Sequence, residues 1–132
     1  MRGLIAAAVL SLSASPFAMA EVTDLGLCKG AIAIVMNKNP SIIKGTMRGD
    51  EAYIHYVRPV DGSRWDFKCK YPDANTVVWA GKLKDTGKWG RWRDTKWDSI
   101  VRHSSTANAV TFKEVMNGSN INSKTFEKEE LR

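Results

Sequence analysis

Histidine and cysteine are almost missing from this sequence of 132 residues, which holds two of each: His55 and His103, Cys28 and Cys69. A self-contained zinc site draws about three or four ligands from such residues, and the spacing HExxH does not occur. Neither does a GxSxG elbow or a phosphate-cradling GxxxxGK[ST] loop, so the common signatures of metalloproteases, serine hydrolases and nucleotide-binding enzymes are lacking. No metal and no cofactor is expected. Long hydrophobic runs are missing too. The longest, Leu4 to Leu12 with Ser11 inside it, has about ten residues, where a membrane-crossing helix needs roughly 20.

That short run is itself informative. Arg2 precedes it, and Pro16 leads into Ala18-Met19-Ala20, the small-residue pattern of a secretory cleavage site. The expectation is a signal peptide over 1–20 and a single small domain over 21–132, located in the periplasm or secreted. Leu27 before Cys28 does not suit lipoprotein processing. About 112 residues remain after cleavage, enough for one core. In an oxidising compartment, two cysteines without CxxC spacing read as one structural disulfide, Cys28 to Cys69.

The pattern along the domain changes period once. Thr23 can cap a helix in which Leu25, Cys28, Ile32 and Val35 fall on one face, ending at Asn37-Lys38-Asn39-Pro40. Alternation follows, with strands predicted at Ser41–Met47, Glu51–Arg58, Ser63–Tyr71, Thr76–Ala80, Ser99–His103, Ala109–Met116 and Ile121–Phe126, the last two joined by an Asn117-Gly118 turn. In the clearest strand Trp65, Phe67, Cys69 and Tyr71 share an apolar face and Asp66, Lys68 and Lys70 a wet one. The fold class is α+β: one N-terminal helix packed on a twisted, mainly antiparallel sheet of about six strands and stapled to it by the disulfide. The tail Glu127–Arg132 reads as a frayed end.

The precursor carries a net charge of +6, or +5 without Arg2. Nearly all of the excess falls in residues 82–97, where six bases face two acids. Lys88, Arg91, Arg93 and Lys96 alternate there with Trp89, Trp92 and Trp97. Cations among aromatic faces suit an anionic polymer, nucleic acid included, or an acidic protein surface. The competing reading makes the tryptophans core residues under a solvated basic face, with lysine and arginine stems lying over the rings. His55 and His103 are the one pair that could serve acid–base cleavage of a phosphodiester, as in a small secreted RNase-like hydrolase. Carboxylates such as Asp66, Asp94 and Glu114 could pair for glycoside hydrolysis. The leading expectation is a non-enzymatic binding domain. The alternatives are that hydrolase and an inhibitor or immunity-type protein.

The export signal, the early helix with Cys28-Lys29, Asn39-Pro40-Ser41-Ile42 and the strand from Trp65 to Cys69 resemble small uncharacterised exported proteins of Gram-negative bacteria. The resemblance implies a location and transfers no functional residue. Small periplasmic lysozyme inhibitors share the size and the disulfide, but their Ser-Gly-x-x-Tyr loop has no counterpart here, and a basic chain is a poor electrostatic match for a basic enzyme.

Overall fold

A computed structural model describes residues 21–132; the expected signal peptide lies outside the described residues. Helix α1, Asp24–Met36, starts where Thr23 Oγ1 accepts the Gly26 N–H at 3.0 Å and stops at Asn37 in the left-handed region, φ 54°. Every residue from Gly26 to Ile34 is buried. The helix is therefore not laid on a sheet by one stripe, as the sequence reading had it. An almost all-apolar turn-by-turn sequence is what a helix enclosed on all sides requires.

Seven strands enclose it, one for each stretch read as extended, where a sheet of about six was expected: β1 Lys44–Arg48, β2 Glu51–Val57, β3 Arg64–Asp73, β4 Thr76–Gly81, β5 Ile100–Ser105, β6 Ala109–Met116 and β7 Ser119–Glu127. They form one antiparallel meander in chain order. The first strand starts later than predicted, because Pro40–Ile42 makes a 3₁₀ turn capped by the Asn39 side chain. Helix α1 meets both edge strands, β1 and β7, so the sheet curls around it. The core follows from the alternation: Ala52, Ile54 and Tyr56 from β2, Phe67 and Cys69 from β3, Val101 from β5, and Val110 and Phe112 from β6 all face α1. Cys28 and Cys69 are bonded, both fully buried, with Cα atoms 5.8 Å apart.

The tail is not frayed. Lys128–Leu131 forms a 3₁₀ turn closed by reciprocal Glu127 and Glu130 contacts. Leu131 is 2 % exposed within the core, and the Lys29 ammonium donates to the Arg132 backbone oxygen at 2.9 Å. Burial, with the positive charge of Lys44 adding to it, holds the Lys29 amine below the ordinary lysine range.

Candidate functional site

The outer face of the sheet carries the polar half of each strand. Register sets which residues meet there. Lys44 lies opposite His55, and His55 opposite Asp66; Thr46 lies opposite Tyr53, and Tyr53 opposite Lys68. These rows place residues from three separate stretches of sequence beside one another, and Lys82 and Trp89 close the group from the end of β4. The result is an open cleft of about 510 Å³ lined by Lys44, Arg48, Arg64 and Lys82, with Tyr53, His55 and Trp89 among the remaining walls. Asp66 is the one carboxylate of the lining, and Arg64 binds it through Nε and Nη2 at 3.0–3.2 Å. Lys44, Arg48 and Lys82 form no ion pair among the described residues. Like charges gathered in a concave, partly apolar setting focus a positive potential outward.

The basic tryptophan-rich segment is built into this face. It turns at Leu83–Lys88 through Gly87, which has φ +70° and needs the freedom of glycine there. It then returns along β4: Gly90 N–H donates to the Gly81 carbonyl at 2.7 Å and Arg93 N–H to that of Trp79 at 2.8 Å. Lys82 Nζ lies 5.5 Å from the Trp89 ring centre, Lys68 Nζ 5.0 Å from Trp89 and 4.8 Å from Trp92, and Lys70 Nζ 4.5 Å from Trp92. Lysine and tryptophan thus alternate as Lys82, Trp89, Lys68, Trp92, Lys70. Each contact contributes about 0.5–1 kcal/mol at a half-exposed site. Beneath them, Val78 and Ala80 are buried on this outer face, 7 % and 0 % exposed. The expected wet face of Asp66, Lys68 and Lys70 is accordingly half-covered.

Neither reading of the tryptophans describes this arrangement fully. Trp89 and Trp92 are outside the core, and their rings serve as beds for ammonium groups rather than as bare stacking platforms. Trp97 stands apart, 76 % exposed, with Lys96 Nζ 4.9 Å from its ring. Lys88 is an exposed turn residue. Arg91 grips Asp98 through both terminal nitrogens at 2.8 and 2.9 Å, and Arg93 Nη1 is 4.0 Å from the same carboxylate. Thr95 also donates to Asp98 through its N–H and hydroxyl. These bonds, the Arg91 contact first, hold the Asp98 carboxyl far below the usual range. Asp98 lies one residue beyond the stretch whose charge looked unbalanced, and it takes up much of that stretch's arginine charge.

The two histidines are not brought together. His55 lines the outer cleft, while His103 lies opposite Phe112 on the inner face, its ring 6.0 Å from that phenyl. Strands β3 and β4 separate their strands. Burial pushes the His103 imidazole below its ordinary range. The three carboxylates considered for glycoside chemistry are also dispersed. Asp66 is held by Arg64, and Asp94 lies 3.9 Å from Lys70. Glu114 accepts from Ser99 and Asn122. Lys44, Arg48, Arg64, Lys68, Lys82 and Tyr53 were missed as site residues, since only strand register joins them. The available signal is the alternation within Glu51–Arg58, which puts Tyr53 and His55 on the face away from Ala52, Ile54 and Tyr56. Comparison with protein-family models, curated proteins and solved structures finds no match to this chain.

Proposed function

We propose that this is an exported, non-enzymatic binding domain whose outer cleft takes an anionic partner, an anionic polymer or an acidic protein surface. The observation that carries the reading is convergence: four bases from β1, β3 and the end of β4 line one cleft with a single carboxylate, and lysines posed over tryptophan rings continue it. Cations fixed by aromatic contacts lose less side-chain freedom on binding than lysines free in solvent. The disulfide is of the kind that persists in oxidising compartments, and the described residues hold no helix long and apolar enough to cross a membrane. The disulfide supports export, and the Ala18-Met19-Ala20 pattern supports removal of the segment before Glu21.

Binding to immobilised heparin, followed across salt, tests the reading. The wild type is retained and released as salt rises, because exposed charges are screened within about 8 Å at physiological ionic strength. Lys44→Glu with Arg48→Glu abolishes retention, whereas Lys88→Glu, outside the cleft, weakens it little. Equal retention of all three proteins overturns the cleft. Intact mass of the exported protein accompanies the measurement, and a mass that includes residues 1–20 overturns the processing.

A further inference from the structure

The outer face carries a second basic cluster, at the far end of the sheet. Arg102 on β5 and Lys113 on β6 are paired across the strands. They alternate with Val101 and Phe112, which are buried in the core, so both point outward on the same face as the cleft. Like charges directly opposite one another on a sheet destabilise it. No carboxylate forms an ion pair with either among the described residues. Asp73 is near enough for its carboxyl to feel Arg102, but it is engaged by the Asn75 N–H at 2.8 Å and the Thr76 hydroxyl at 3.0 Å. Around the two bases a depression of about 310 Å³ adds Ser104, Thr111, Asn75 and Asn120. Ser104 and Asn120 supply a hydroxyl and an amide there, whereas the Asn75 amide donates to the His103 carbonyl at 3.5 Å and the Thr111 hydroxyl is bonded to that of Thr125 at 2.7 Å; no carboxylate lines the depression.

We propose that Arg102 and Lys113 form a second anion site, that the cleft and this site are the two ends of one diagonal track, and that the ligand is a linear polyanion long enough to occupy both. Register gives the path. Lys68 lies opposite Ala80, Lys70 opposite Val78, and Thr76 opposite Arg102. The alternating lysines and tryptophans therefore lead from Lys82 toward the second site. With strands about 4.8 Å apart and a rise of about 3.3 Å per residue, the ends are roughly 20–25 Å apart. A small anion cannot span that distance, and a chain with charge on successive units can.

This inference rests on the cleft reading, and two heparin fragments separate the two claims. A disaccharide is too short to reach both sites and a dodecasaccharide is long enough. Calorimetric titration at one fixed salt concentration gives the dodecasaccharide an affinity about a hundredfold higher, because the second contact becomes intramolecular. Arg102→Glu with Lys113→Glu removes at least about tenfold of that gain and leaves the affinity of the disaccharide for the cleft unchanged. The milder Arg102→Gln with Lys113→Gln gives the same pattern, and thermal melting confirms that each variant is folded. If the Arg102 and Lys113 variants bind the dodecasaccharide as the wild type does while Lys44→Glu with Arg48→Glu loses the disaccharide, the cleft stands and the track is wrong. If Lys44→Glu with Arg48→Glu changes neither fragment, the cleft reading fails first. Wild-type protein that binds neither fragment overturns both.

Discussion

At the scale of single residues, the tightest constraint is Gly30 on α1. A methyl group there would come within 2.1 Å of the Phe112 ring edge, and Phe112 is fully buried with Val101 and Val110 beside it. The ring cannot withdraw without disturbing β6. Gly30→Ala lowers stability by about 1–3 kcal/mol, the range for overpacking a filled core, despite the better helix propensity of alanine. Chemical denaturation of Gly30→Ala, Phe112→Leu and the double variant checks this. A coupling of about 0.5–3 kcal/mol in the compensating direction is expected, and strictly additive losses would show that the two residues do not collide. Asp98 is the corresponding polar residue. It collects two arginines and Thr95, and so fixes the loop that carries Trp92 and Trp97.

At the scale of elements, the C-terminal 3₁₀ turn behaves as part of the core. Leu131 packs where Gly26 leaves room, with the Leu131 carbonyl oxygen 2.8 Å from the place a Gly26 Cβ would occupy. Leu131→Ala is therefore expected to cost about 2–4 kcal/mol, as for a buried leucine in a site that relaxes little, measured by the denaturant midpoint. An effect below about 0.5 kcal/mol would return the tail to the frayed end that its acidic composition suggests. Strand β4 is divided in a related way. Thr76 and Val77 pair with β5, while Trp79 and Gly81 bond the tryptophan segment. That division brings an irregular stretch of sequence into the sheet.

At the scale of the whole molecule, one covalent link joins the central helix to the wall around it. Cys28 and Cys69 lie 41 residues apart in sequence, and closing such a loop stabilises by about 4 kcal/mol in the chain-entropy model. Replacing both cysteines by serine lowers stability by about 2–5 kcal/mol, read from thermal or chemical unfolding of the oxidised protein and the variant. If the two unfold alike, the curled sheet holds α1 without the bridge. The same enclosure fills the inner face with the packing around α1, and the sites proposed here lie on the outer face.

The class of fold was legible in the chain because period is local. Alternation from Glu51 to Tyr71, the Asn117-Gly118 turn and the Thr23 cap each act within a few residues, and helix, strands and disulfide follow from them. The apolar sequence of α1 also announced enclosure, though a single stripe was read from it. The site was not legible, because nothing local connects Lys44, His55, Asp66 and Lys82. Their meeting depends on strand register, which turns and core packing settle together. The tryptophan segment shows the same division. Its composition predicted cations near rings, but the lysines that occupy Trp89 and Trp92 include Lys68 and Lys70 from β3, and both of its own arginines turn to Asp98. Charge along the chain was fixed by sequence. Which charges remain free to meet a partner was decided by tertiary structure, since only the folded chain brings acids to some bases and leaves others alone in a cleft.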